Sequence, residues 1–465
     1  VAYHGLPEAR YPLADMRGLA ESGDDPRKLE ILISESLLHL ARDLSGEDFD
    51  MAALYPEWRI DRKQADIPAL LEAAVEKHKL DALFDRLAPR APAYAALAGY
   101  LRDYRAIAAK GGWKPIEPEP ALRLHDADAR VAQLRARLEA EGYKAPPTGG
   151  HDKDFGAVLR QQLVAYQRRN GLVPDGDAGA KTLAALNVPV AARIEQIRAT
   201  MERWRHMPRS YPPARYVRVN IPAFTVDIFE NGDDIYRGQA IVGRPDRHTP
   251  FIDSSITVLT VNPPWRVPVS IARKDILPKL RHDPDYLEKL DIVIAGRDGD
   301  PFGTGIDWAD MKPSDFHYRL RQMPGDMNSL GKLKFSFANP FDVYMHGTPH
   351  RELFSRSERA FSSGCVRLED PLRVAELLLD GTSDSDGGSW DAAHIEAAIE
   401  AGETRWVDLA RPIPVYFVYE TVFSGDDGQI NFRKDIYGYD AKLKDWFTTG
   451  AYNKACCAAH SPPLK

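Results

Sequence analysis

The spacing of apolar positions changes character along the chain, and each change predicts a boundary. Over residues 1–118 apolar side chains recur near helical spacing. Leu29, Ile31, Leu32, Leu37, Leu40 and Leu44 form one set, Ile67, Leu70, Leu71, Ala74 and Val75 a second, and Tyr94, Leu97, Leu101 and Tyr104 a third. This predicts a helical scaffold whose stripes are core. Pro115 to Pro120 (PIEPEP) is stiff and poor in hydrogen-bond donors, and it ends that region. Residues 119–189 carry shorter helical patterns: Val131, Leu134 and Leu138 before Gly142, then Val158, Leu159, Leu163 and Tyr166, followed by Gly171, Asp175-Gly176, Gly179 and Thr182. A connector over 190–212 places Ile194, Ile197, Met201 and Trp204 on one helix face.

From residue 213 the period falls to two. Val217, Val219 and Ile221 alternate with Arg218 and Asn220, Phe224, Val226 and Ile228 alternate with Thr225 and Asp227, and Asn231-Gly232 predicts a hairpin turn. Further strands are expected over 256–261 and 415–423, the latter turning at Asp426-Asp427-Gly428 into 430–432. A mostly-β domain over 213–450 therefore precedes a polar tail at 451–465. Within it, 264–323 loses the alternation except for a short helix near 271–280. That stretch is expected to be a strand-free insertion of the lid kind.

The candidate chemistry lies in HGTPHRELFSRSERAFSSGCVR, residues 346–367. His346 follows an extended run, and Cys365 follows a glycine that relaxes the backbone. A thiol attacks carbonyls as thiolate, and an imidazole, a cation or a helix N-terminus favours that form. Asp370-Pro371 and the Leu-rich run behind it predict a helix start near Cys365. The Gly364 and Cys365 N–H groups are then expected to be free for a developing oxyanion, His346 to take the thiol proton or hold the thiolate as an ion pair, and Ser362 to fix the turn. Arg367 either steers a substrate carboxylate or braces the loop against an acidic residue. Tyr344 orients the imidazole, lines the pocket or simply packs in its strand, and Trp265 and Arg321 are candidate pocket walls. No His/Cys/Asp/Glu group has metal-ligand spacing, so no metal and no cofactor are expected.

This stretch resembles the YkuD-type L,D-transpeptidases, which cross-link bacterial peptidoglycan. Their motif is a histidine, about fifteen residues, then Ser/Thr-His-Gly-Cys-x-Arg, and here fifteen residues (347–361) separate His346 from Ser362-Ser363-Gly364-Cys365, with Arg367 following. Ser363 stands where many members carry a second histidine. Met323 to Pro349 also resembles the approach to the site in the large members, and 122–186 is similar to the three-helix peptidoglycan-binding module. The glycines and Asp175 of that module either bind glycan or only cap helices. The fold class is thus multidomain α+β: a helical N-terminal scaffold, a small three-helix peptidoglycan-binding-like module and a mostly-β YkuD-type catalytic domain with a capping insertion.

The resemblance implies cross-linking through a Cys365 thioester, with a tetrapeptide stem as donor and D-alanine released. An L,D-carboxypeptidase or a hydrolase releasing wall-linked protein would share the acyl-enzyme, and a non-catalytic wall-binding protein is the third alternative. The resemblance also implies a periplasmic location, stem peptides, glycan and other cell-wall enzymes as partners, and carbapenem β-lactams as acylating agents. It leaves open the oligomeric state and whether 3-3 or 1-3 links form.

Composition narrows this further. With 465 residues, 44% hydrophobic and 28% charged, the chain is of ordinary globular make-up and long enough for several domains. A net charge of −7 without a basic block argues against nucleic acid as a partner. Of three cysteines, Cys456 and Cys457 are adjacent in the tail and predict no disulfide framework. The initial Val1 is read as the scar of a removed leader or anchor.

Overall fold

A computed structural model describes residues 1–62, 64–146, 152–384 and 387–448; Cys456, Cys457 and the rest of the tail at 451–465 lie outside the described residues. The described chain forms two units, residues 1–212 with 419–448, and residues 213–418.

In the first unit the helical stripes become helices Pro26–Ser45, Ile67–Glu76 and Pro92–Ala109. Pro26–Ser45 starts where the Asp25 carboxylate accepts the Lys28 N–H at 3.0 Å and ends at Gly46, whose φ of 64° is left-handed. Its stripe is buried only toward the end, at Ala41 and Leu44, whereas Ile31 is exposed. The following module packs Ala129–Glu139, Ala157–Arg169 and Ala180–Leu186 around Val131, Leu134, Leu138, Leu159, Leu163, Tyr166 and Leu183. Val158, expected on the apolar face, points to solvent. The PIEPEP segment is tied down near its start, where Asn187 Oδ1 accepts from the Ile116 N–H at 2.7 Å and its amide donates to the Ile116 carbonyl at 2.7 Å.

The module's recurring residues are joined through one side chain. Gln167, fully buried, donates from Nε2 to Asp175 Oδ1 (2.7 Å), the Asp177 carbonyl (3.0 Å) and Thr182 Oγ1 (3.1 Å), and its Oε1 accepts from the Gly176 N–H (2.8 Å). Helix Val190–Arg205 occupies the first part of the 190–212 stretch, and Arg203 on it donates to Asp440 Oδ1 at 2.6 Å and to the Tyr419 carbonyl at 3.2 Å. Here the structure differs from the expected boundary at 450. The hairpin Val422–Ser424/Ile430–Phe432 pairs only with itself among the described strands, and residues from 419 onward group with the first unit.

The second unit is built on eight strands: β1 (Arg215–Asn220), β2 (Thr225–Glu230), β3 (Asp233–Gly243), β4 (Phe251–Val261), β5 (Leu333–Phe337), β6 (Met345–His346), β7 (Val366–Leu368) and β8 (Arg405–Val418). They pair in the order β4-β8-β1-β2-β3-β7-β6-β5, and β5 pairs back onto β4, so the sheet closes into a barrel without an open edge. Among these eight, the β6–β7 and β8–β1 pairs are parallel and the others antiparallel, and a further short strand, Ala360–Ser362, pairs parallel to β3.

The stretch expected to lack strands holds three short ones, Trp265–Arg266, Ile292–Ile294 and Leu320–Gln322, forming a sheet of their own. Strands of two or three residues are too short to show alternation in sequence. With the helical run 269–280 they enclose a separate core of Ala272, Leu277, Leu280, Leu287, Ile292, Trp308, Phe316 and Leu320. The insertion is therefore a small packed subdomain rather than a loop.

Candidate active site

Strand register assembles the site. His346 on β6 lies beside Arg367 on β7 and Lys334 on β5, while Met345 lies beside Val366 and Phe335. Side chains alternate across a sheet, so Met345, Val366 and Phe335 fill the buried face, whereas Lys334, His346 and Arg367 form a row on the other. Two residues earlier on the same face come Tyr344 and Cys365. The Lys334 ammonium stands 4.1 Å from the centre of the Tyr344 ring, and that ring lies 5.6 Å from the His346 ring. Tyr344, His346, Cys365, Arg367 and Trp265 all line one cavity of about 620 Å³.

The turn before Cys365 is held from several sides. Gly364 has φ +119°, open to glycine and strained for other residues, and a Cβ there would come within 3.3 Å of the His248 carbonyl. Thr249 Oγ1 donates to the Gly364 carbonyl at 2.8 Å. Ser362 Oγ donates to the Cys365 carbonyl at 2.5 Å and accepts the Gly364 N–H at 3.1 Å. This corrects the expectation of two free donors: Gly364 N–H is engaged, and of the pair only the Cys365 N–H has no acceptor among the described hydrogen bonds. A second correction concerns the helix. Strand β7 comes directly after Cys365, and the helix Pro371–Leu378 starts beyond it, so its N-terminus is not the thiol's activator.

The imidazole is buried and oriented. His346 Nδ1 pairs with the Gly347 carbonyl, which requires Nδ1 to carry the proton and leaves Nε2 as the basic nitrogen. Burial, then the charge of Arg367, push the ring down to about 3, against the Gly347 and Leu330 carbonyls that favour protonation. Burial likewise pushes the Cys365 thiol up to about 11, although the Tyr344 backbone, Lys334 and Arg367 favour the thiolate. Both directions run against a resting thiolate–imidazolium pair. Both shifts favour a neutral thiol and a neutral imidazole at rest, and the nearby cations favour the thiolate only against that burial.

The other expected residues divide. Arg367 has no ion pair among the described residues and its buried Nε has no partner, so no acidic residue braces it. Trp265 lines the cavity and opposes the rise of the Tyr344 hydroxyl, which burial and the neighbouring thiol drive well above its ordinary range. Arg321 does not line it. In Leu320–Gln322 the outer residues are buried and Arg321 is exposed, so the pleat sends Gln322 to the cavity instead.

Several residues of the site were not singled out from the sequence: Gln322, Arg244, Arg247 and Asp275, which line the cavity, and Lys334, which lies beside His346 and Tyr344. A lysine inside the alternating run LKFSF was a usable signal for Lys334. Ser363 is exposed, and its Oγ accepts from Arg247 at 2.9 Å. The group geometrically able to hold a metal among the described residues, Asp48, Glu202 and His206, lies in the first unit, where Glu202 pairs with Arg205 and Asp48 lies 3.7 Å from Arg10.

Residues 214–385 match the L,D-transpeptidase catalytic domain (YkuD). The chain carries a YkuD-type L,D-transpeptidase catalytic domain. Residues 1–101 match the family described as scaffold domain, and 127–186 the family described as "Putative peptidoglycan binding domain". A Haemophilus influenzae protein named "Putative L,D-transpeptidase" is 35% identical over 228 residues, covering 48% of this chain and 44% of that protein, so the chain spans less than half of that relative's length. Among solved structures, L,D-transpeptidase 3 of Mycobacterium tuberculosis is similar at 12% identity and TM-score 0.21, over 44% of this chain and 61% of that one. An L,D-transpeptidase of Stackebrandtia nassauensis is similar at 11% identity and TM-score 0.23, over 66% and 97%.

Proposed function

We propose that this protein forms peptidoglycan cross-links by acyl transfer through Cys365, outside the cytoplasmic membrane. The observation that carries the reading is the shared face of β6 and the β7 turn, with an oriented imidazole and a thiol lining one cavity inside the family's catalytic domain.

His346 Nε2 takes the Cys365 proton as Sγ attacks the carbonyl joining the third stem residue to its terminal D-alanine. The Cys365 N–H donates to the oxyanion, and Lys334 and Arg367 offset the negative charge that builds up. When the tetrahedral species collapses the C–N bond breaks, the amine leaves with the proton held on Nε2, and D-alanine departs. An amine on a second stem then attacks the thioester and gives its proton to Nε2. The C–S bond breaks and the proton returns to sulfur. Tyr344 and Trp265 wall the cavity beside the nucleophile, and the module at 127–186 is proposed to hold the wall.

Incubation with purified tetrapeptide stems tests this. Dimeric stems with release of D-alanine are expected. Tripeptide alone would assign the site to a carboxypeptidase, and no turnover would point to a binding protein.

A further inference from the structure

The insertion sends a carboxylate into the same cavity that holds the nucleophile. Asp275 lies in Ala272–Ile276, a π-helical turn between two α-helical ones, a departure from regular winding that often accompanies functional positions. Its carboxylate is gripped by two arginines from the loop after β3. Arg247 donates through Nη2 to Oδ1 at 2.9 Å and through Nη1 to Oδ2, and Arg244 Nη2 lies 3.4 Å from Oδ1. Two parallel N–H donors on two carboxylate oxygens is the fork by which arginine recognises a carboxylate of any origin. The same Arg247 Nη1 donates to Ser363 Oγ at 2.9 Å, and Ser363 is two residues from Cys365, within about 7 Å along the chain.

We propose that Arg244 and Arg247 form a carboxylate clamp that Asp275 occupies in this structure and that the terminal carboxylate of the donor peptide occupies in the reacting complex. This rests on the transpeptidase reading above, and it names the group that fixes the donor's chain end.

Connectivity supports the assignment. In a donor ending one residue beyond the attacked carbonyl, the terminal carboxylate carbon is three bonds from the carbon that sulfur attacks, about 4 Å away by ordinary backbone lengths. The clamp is tied through Ser363 to the turn that carries Cys365 and lines the same cavity, as a site for that chain end must. Charge agrees: Arg244, Arg247, Lys279 and Arg367 line the cavity against Asp275 and Asp342, so moving Asp275 aside leaves it strongly cationic. The exchange is also accessible. The Asp275 side chain is 32% exposed and that of Arg247 17%, and an ion pair open to water contributes little net stability, so one carboxylate replaces another at small cost. Burial opposes the Asp275 charge, yet the two guanidiniums hold its carboxyl below its ordinary value, as they would a ligand's.

The test measures binding in a Cys365→Ala background, which prevents turnover, with a synthetic stem tetrapeptide acid and its C-terminal amide. The acid is expected to bind at least tenfold tighter than the amide. Arg247→Gln should abolish that difference, and Asp275→Asn should strengthen acid binding several-fold while leaving the amide unchanged. Ser363→Ala, which removes the hydrogen bond and keeps the guanidinium, should retain the preference. Equal affinity for acid and amide, with wild-type protein acylated by both, would overturn the clamp and leave the transpeptidase reading standing. Asp275→Asn weakening both peptides alike would assign the pair a purely structural role and overturn the clamp as well. If neither peptide binds nor acylates the wild-type protein, the transpeptidase reading fails and takes the clamp with it.

Discussion

Two short motifs, one in the three-helix module and one in the barrel, look alike as sequence and differ in what the fold does with them. Each combines a turn glycine with polar residues at fixed spacing. In the module Gln167 is fully buried, and its amide ties Asp175, Gly176, the Asp177 carbonyl and Thr182 to one another, so the motif's polar groups are spent on each other. In the barrel the corresponding economy is incomplete. Ser362 secures the turn, yet the Cys365 N–H has no acceptor among the described hydrogen bonds and the buried Arg367 Nε has no partner, while the thiol, hydrogen-bonded to Tyr344, and the His346 ring line an open cavity. A motif whose polar groups are satisfied internally explains a shape. One whose groups are left facing open space explains a reaction.

That contrast fixes what each substitution should do. Cys365→Ala should lower acylation by on the order of 10³-fold or more with an unchanged denaturation midpoint, because it removes the reacting atom and little packing. A loss of only a few-fold would mean another group reacts. Gln167→Ala should do the converse. It strands several buried polar groups and should cost the module about 3 kcal/mol in a denaturant titration, while acylation of a small soluble peptide stays near wild type. A large loss of acylation there would join what the comparison separates.

Protonation sharpens the barrel side. With the Cys365 thiol pushed up to about 11, iodoacetamide alkylation of the resting protein should rise with a midpoint near that pH; a midpoint well below 8.5 would restore the ion pair. His346 is depressed to about 3, below its unfolded value near 6.5, so the folded state resists a proton that the unfolded chain accepts. Its stabilising contribution is present above pH 6.5 and is lost as pH falls toward 3. His346→Gln should flatten the stability decline over that window, measured by thermal melts across pH. Smallest of all, Arg321→Ala should leave acylation within about twofold, since its side chain faces solvent rather than the cavity.

How far the sequence could be read follows from what each signal depends on. The long helices and the alternation of β1 and β2 were legible because their periods persist over many residues, and the His346–Cys365 spacing because it lies within one continuous stretch of the chain. The rest needed tertiary information. Arg321 and Gln322 could not be told apart in a three-residue strand, whose phase is set by its neighbours Trp265–Arg266 and Ile292–Ile294. Arg244, Arg247, Asp275 and Lys334 come from separate segments that only the barrel register and the packed insertion bring together. The Gly364 N–H is engaged for a local reason: a serine two residues earlier competes for it with the oxyanion.

On the proposed reading, Cys365 becomes acylated by a stem peptide with expulsion of its terminal residue. Intact-mass spectrometry of wild-type protein mixed with a purified tetrapeptide stem, quenched in acid and mapped by proteolysis, tests it directly. The expected result is an added mass equal to the tetrapeptide minus D-alanine, confined to the fragment containing Cys365 and absent from Cys365→Ala. An unmodified protein alongside consumed substrate, or an adduct on any other fragment, would contradict it.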